Sequence, residues 1–218
     1  LRLSMRNSSA FMSINATSLS ASTSAIPDTQ GVKYAGSKKK LLPNILSLID
    51  DLKINSVFDG FSGTTRVSQA LAQRGYQVTS NDISDWSYVF GVCYLKNRKS
   101  ASSYQELIDH LNAMQGVDGW FTENYGGYDH AGSSVQVDGL KKPWQRHNTR
   151  KLDAIRDEID RLSLNEIEKC IALTSLIMAM DQVDNTLGHF TSYLKNWSSR
   201  SYKEMRLQVP KIFENTQD

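Results

Sequence analysis

Cysteine, proline and net charge are all scarce in this chain: two cysteines, four prolines and a formal charge of +2 in 218 residues. Cys93 and Cys170 lie far apart in apolar runs and form no Cys-x-x-Cys pair. That excludes a disulfide scaffold and a thiolate metal site, and predicts two buried thiols in a reducing compartment. His110, His130, His147 and His189 fall at no metal-ligand spacing, so no metal is expected. The longest apolar stretch, Cys170 to Met180, contains Thr174 and Ser175. It is too short to span a bilayer and reads as a buried core helix, with no membrane partner. With 25 basic against 23 acidic residues, the total charge says nothing about partners, and local charge must.

What the chain does have is an ordinary globular balance, 39% hydrophobic and 22% charged, in a length suited to one domain or a domain plus an insert. Residues 1–31 stand apart. They are rich in Ser and Thr, carry Arg2 and Arg6, and hold Asp28 as their one acid. No apolar core of a secretory signal is present. The composition resembles an organellar transit peptide, but the favoured reading is a disordered or non-native leader, with order beginning near Val32.

Helical spacing over Lys39 to Leu52, with Pro43 in the first turn, predicts a helix. A strand over Asn55 to Phe58 follows, then a small-residue turn, a helix from Val67 to Arg74 and a second strand from Tyr76 to Ser80. Helices are expected over Ser84 to Lys96 and Ser102 to Gln115. Strand, glycine turn, helix and strand make a βαβ unit, hence an α/β fold with a parallel sheet. Residues 32–115 form this first part and residues 116–218 the second. Within the latter, Gly116 to Arg150 reads as an irregular insert. Helices are predicted over Arg150 to Leu162 and Asn165 to Asp184, the latter opened by an Asn165/Glu168 capping box. Met205 to Val209 has the pattern of a strand.

The stretch Val57-Phe58-Asp59-Gly60-Phe61-Ser62-Gly63-Thr64 runs an apolar strand into small residues, which lets a backbone approach a ligand closely. The helix behind it aims its amides at that spot. Asp82 ends the next strand, where a carboxylate can accept hydrogen bonds from ribose hydroxyls. The arrangement suits an adenosine-type cofactor. A nicotinamide site is the rival, although the turn lacks Gly-x-Gly-x-x-Gly.

Upstream lies Lys33-Tyr34-Ala35-Gly36-Ser37-Lys38. Taken with Phe58-Asp59-Gly60-Phe61-Ser62-Gly63 and Asn81-Asp82, in order and at this spacing, it resembles the Dam-like class of adenine-specific DNA methyltransferases. The resemblance covers roughly Val32 to the end of the chain. It implies a Rossmann-like fold binding S-adenosylmethionine. Tyr34 would flank the cofactor, Ala35 and Gly36 would admit the backbone, and Lys38 would meet the methionine carboxylate. Asp59 and the turn Phe61, Ser62, Gly63 would face methionine and ribose, and Asp82 would hold the ribose hydroxyls. Two positions depart from the pattern: Gly60, where the family often has Pro, and Thr65, where it has Gly. Both changes stay near the loop and are expected to be tolerated, with Thr65 crowding the cofactor slightly.

The resemblance also implies double-stranded DNA as partner and residues 116–218 as the part that reads the target. Lys141, Lys142, Trp144, Arg146, Asn148 and Arg150 supply cations for phosphates and groups for bases. A second basic stretch holds Lys195, Arg200, Lys203, Arg206 and Lys211. By composition alone both stretches would be solvated loops. A restriction endonuclease is the implied functional partner, in the cytoplasm of a bacterium or archaeon or of a phage-infected cell.

The family's transfer chemistry uses Asp, Asn or Ser followed by Pro-Pro and an aromatic residue, to hold and stack a flipped adenine. Pro27, Pro43, Pro143 and Pro210 include no adjacent pair, so no catalytic residue is assigned. A C-terminally truncated fragment is the expectation. A natural half-protein that binds DNA or cofactor beside a separate catalytic subunit is the alternative. Transfer to RNA or protein, and a nicotinamide-dependent oxidoreduction, are lesser readings.

Overall fold

The computed structural model describes residues 25–33, 36–188 and 192–213. A 3-10 turn, Lys38–Leu41, leads into α1 (Leu42–Asp50), with Pro43 in its first turn where a missing N–H costs nothing. Strand β1 (Ser56–Asp59), helix α2 (Arg66–Gln73) and strand β2 (Gln77–Ser80) form the expected βαβ unit. The strands pair in parallel with Val57 opposite Val78. Helices α1 and α2 cover one face: Leu42, Leu46, Ala70 and Leu71 are buried against Val57, Val67 and Val78. Helix α3 (Asp85–Gly91) runs on as a π-helical turn, Val92–Lys96. A 3-10 turn, Ala101–Tyr104, precedes α4 (Gln105–Ala113).

The second part is more ordered than its texture suggests. Gly116 to Arg150 contains α5 (Trp120–Tyr125), the short strands β3 (Gly126–Gly127) and β4 (Trp144–Gln145), and the start of α6 (Arg146–Arg161). β3 and β4 also pair in parallel. The insert is therefore irregular only over residues 116–119 and between Tyr128 and Pro143. Helix α5 is capped from outside its own sequence. The Asp153 carboxylate on α6 accepts from the N–H groups of Gly119, Phe121 and Thr122 at 3.2, 3.0 and 2.8 Å. Helix α7 (Glu166–Val183) starts with the predicted capping box and buries side chains all around its circumference. It divides two cores. Ile155, Ile159, Leu176, Met180 and Val183 fill one; Phe90, Tyr94, Tyr104 and Ile171 fill the other. Desolvation pushes the buried Cys93 and Cys170 thiols up to about 12 and about 11, which leaves them inert. Among the described residues no helix is long and apolar enough to cross a membrane.

Two expectations need correction. Met205 to Val209 is not a strand. Its backbone is satisfied by side chains: Met205 N–H donates to Asn148 Oδ1 at 2.7 Å and Leu207 N–H to Asn112 Oδ1 at 2.9 Å. Order also begins before Val32. Arg66 on α2 donates to the carbonyls of Thr29 and Gly31, both at 2.6 Å. Gln69 exchanges two hydrogen bonds with the Gln30 backbone, both at 2.9 Å. Residues 28–31 are thus a strap across α2, held by backbone groups that a reading of side-chain composition misses.

Asn148 carries the strap's C-terminal counterpart. Replacing Asn148 with Ala strands a buried N–H and is expected to lower unfolding stability by about 1–3 kcal/mol in a urea titration. An unshifted midpoint would mean that the 203–207 segment does not depend on it.

Candidate functional site

Because β1 and β2 run parallel, the turns after both strands leave the same edge of the ribbon. Asn81 stitches them together. Its N–H donates to Asp59 O at 2.9 Å, its carbonyl accepts from Ser62 N–H at 3.0 Å, and its amide nitrogen reaches Gly60 O at 3.2 Å. Asp82 adds the next tie. One carboxylate oxygen accepts from Gly63 N–H at 2.8 Å and the other from Ser84 N–H at 3.0 Å. The turn after β1 and the entry to α3 are thereby locked to one acid. Gly63 needs its glycine: it sits at φ +49, and the space where a Cβ would stand is open.

The Ser84 and Ser87 hydroxyls face the same carboxylate. The Gly63 amide, then that of Ser84, holds the carboxyl below the usual aspartate range. Asp59, half-buried, accepts from Ser68 Oγ at 2.6 Å, so one of its oxygens serves α2. Phe61 and Ile83 project almost wholly into solvent on either side of Gly63 and Asp82, at 86% and 100% exposure. Thr65 does not crowd this space, contrary to expectation. It lies at φ 58 with no exposed surface, and its hydroxyl accepts from Gln69 Nε2 at 3.0 Å.

A cleft of about 530 Å³ opens here, between β2 and α3, lined by Ser62, Asn81, Asp82, Tyr88, Lys96 and Arg98. Its outer wall is tied to the second part of the chain. Tyr88 and Lys96 both donate to the Glu166 carboxylate at the start of α7. Sequence reasoning missed Tyr88, Lys96 and Glu166, because nothing local links residues 88 and 96 to 166. Asn81 was visible at the strand end without a role. Gly36 (φ 94) and the exposed Lys38 precede α1. Tyr34 and Ala35 lie outside the described residues.

A larger cavity, about 1170 Å³, is apolar and lined by Trp86, Trp120, Phe121, Trp144, Leu176 and Met180. Of the described candidate residues it holds Trp144. Size here does not mark the site; convergence of polar groups does.

The candidate DNA contacts divide. Trp144 is buried and donates from Nε1 to Met180 O at 3.1 Å. Asn148 is buried and bonded to Lys203 O and Met205 N–H. Both are structural, so the expectation that they meet bases is withdrawn. Arg146 and Arg150 both reach Asp118, at 2.8 and 3.1 Å, and Arg146 also lies over the Tyr128 ring at 5.1 Å. Lys142 donates to Asn124 O at 2.8 Å, and Lys141 is exposed. The two basic stretches, distant in sequence, meet in space. Asn148 Nδ2 donates to Lys203 O at 2.9 Å, and beside it Ser134 N–H donates to Lys195 O at 2.9 Å and Trp197 N–H to Gly132 O at 2.8 Å.

Comparison with known proteins identifies the family. The profile of the D12 class N6 adenine-specific DNA methyltransferases matches residues 34–218. The modification methylase StsI of Streptococcus sanguinis is 34% identical over 200 residues, 85% of this chain and 29% of that protein. The type II methyltransferase M.NlaIII of Neisseria lactamica is 27% identical over 192 residues, 84% of this chain and 55% of that protein. M.FokI of Planomicrobium okeanokoites is 27% identical over 202 residues, covering 84% and 30%. The chain thus spans between 29% and 55% of the length of these relatives. No solved structure matches it.

The Asp82 tie has a pH signature. Its folded value is depressed, so the tie is fully present above the unfolded value of about 3.9 and is lost as pH falls through the lower folded one. Carboxyl-carbon NMR should show Asp82 titrating below an ordinary aspartate, with the Gly63 amide shift following it. A Gly63 amide that titrates at the ordinary value would break the assignment.

Proposed function

The chain belongs to the D12 class of N6 adenine-specific DNA methyltransferases, and from that premise we propose that it is the cofactor-holding and target-reading part of an enzyme that methylates adenine in DNA. The single observation that carries the reading is Asp82. A charged carboxylate at the carboxyl edge of a parallel βαβ unit is fixed there by two backbone amides, one from the turn after each strand. That is what a ribose diol needs. Phe61 and Ile83 offer apolar surface to the purine and methionine parts, and the open space at Gly63 admits the backbone contact. Lys38, exposed before α1, meets the methionine carboxylate, with Tyr34, Ala35 and Gly36 beside it. The fold is then Rossmann-like, completed by strands beyond the β1–β2 pair.

S-adenosylmethionine supplies a methyl group on a cationic sulfur. Its transfer to the adenine amino nitrogen breaks the carbon–sulfur bond and releases a proton from that nitrogen. These 218 residues hold no adjacent prolines, and none of them is assigned to steadying the amino group. What this chain contributes is cofactor orientation and grip on the duplex. Lys141, Lys142, Arg146 and Arg150, joined by Lys195, Lys203 and Arg206, neutralise phosphates. Arg146 and Arg150 do so by exchanging Asp118 for a backbone phosphate. A role beside a restriction endonuclease, in the cytoplasm, accords with the relatives named as modification methylases.

Calorimetry with S-adenosylmethionine tests the cofactor assignment. Asp82→Ala removes a charged hydrogen-bond acceptor and should weaken binding by about 1.5–3 kcal/mol, at least tenfold. Lys38→Ala should weaken it less. Equal affinity in all three proteins, or binding of a nicotinamide dinucleotide instead, would overturn the reading.

A further inference from the structure

Asp184 closes α7 as its first residue beyond the helix and is among the most buried acids of the chain, its side chain 2% exposed. Two cations share one of its oxygens. Lys33 Nζ lies 3.0 Å from Oδ1 and Arg200 Nη2 lies 2.7 Å from the same atom. Their sequence origins give the triad its interest. Lys33 immediately precedes Tyr34 and the segment through Lys38, which the proposed function places on the cofactor. Arg200 lies within the basic stretch 195–206, which that function places on the duplex.

Both cations are fastened to more than the carboxylate. The Lys33 backbone N–H donates to Asp181 Oδ2 at 3.1 Å, and its ammonium also donates to the Asp181 carbonyl. Arg200 donates from Nε to Asp184 O and from Nη2 to Thr186 O, both at 2.7 Å. The carbonyls it holds lead into the exposed Leu187 and Gly188 (φ 98). A buried carboxylate that loses one cation is left undercompensated. Where Lys33 sits therefore constrains where Arg200 sits, and the reverse. Both side chains stay partly open to solvent, at 38% and 31% exposure, so either can be pulled by a ligand on its own side.

We propose that Asp184, with Lys33 and Arg200, is a positioning centre that couples the cofactor segment to the duplex-gripping segment, so that each ligand tightens the other. The inference rests on the proposed function. Ordering one segment through the shared oxygen lowers the cost of ordering the other, which makes the coupling positive. Linkage requires the two affinities to change by the same factor.

The experiment titrates S-adenosylmethionine calorimetrically into the full chain, alone and saturated with a short mixed-sequence DNA duplex at low salt. The reverse titration measures duplex affinity with and without S-adenosylmethionine. The unmodified chain should show about 5-fold tightening or more, equal in both directions. Lys33→Met, at a partly exposed position that leaves the fold intact by circular dichroism, should reduce the factor to near one. Lys33→Arg should restore it. Asp184→Asn should abolish it where that variant folds. A factor near one in the unmodified chain, or an undiminished factor in folded Lys33→Met, overturns the coupling while leaving the cofactor site standing. Absence of S-adenosylmethionine binding in the unmodified chain overturns the functional reading, and the coupling with it.

Discussion

Parallel pairing of β1 with β2 forces the chain to cross over through α2 and return in the same direction, so both strands release their turns at one edge. The rest of the site is built on that coincidence. Asn81 can stitch the first turn because it emerges beside Asp59, and Asp82 can hold the Gly63 amide because the turn is already there. An antiparallel pair would have sent the two turns to opposite ends. The glycine at position 63 and the left-handed Thr65 are the conformational cost of bending the backbone sharply enough to meet α2. Thr65 bears that cost with full burial and a bond to Gln69 in return.

What the sequence made legible was what is local. The βαβ unit, the α7 capping box and the Asp82 position follow from spacing along one stretch of chain. The rest was hidden because its partners are distant. Helix α5 has no cap in its own sequence, since Asp153 supplies it from α6. The alternation in Met205 to Val209 reads as a strand, yet the backbone of Met205 and Leu207 finds asparagine side chains in place of a neighbouring strand. Trp144 and Asn148 sit in a basic run and look like base readers until burial removes them. Residues 28–31 look like leader because their ties to α2 are made mostly by carbonyls and amides, which every residue has.

The same principle sorts the basic residues. Composition counts Arg146, Arg150, Arg200 and Lys211 alike with Lys141 and Lys203. In the fold the first two are held by Asp118, Arg200 turns inward to Asp184, and Lys211 pairs with Asp28. Lys141 and Lys203 remain exposed. Charge that is already paired must be released before it can serve a phosphate, so the cations of one patch differ in what they can give.

The β1–β2 ribbon has a further consequence, for the behaviour of the polypeptide in bulk. Among the described residues β1 and β2 form a two-stranded ribbon, and Phe58 on β1 is exposed. A strand edge left open in solution would be a template for another strand. It would join chain to chain, and the colloidal stability of the polypeptide would then depend on its strand edges more than on its well-filled helical cores.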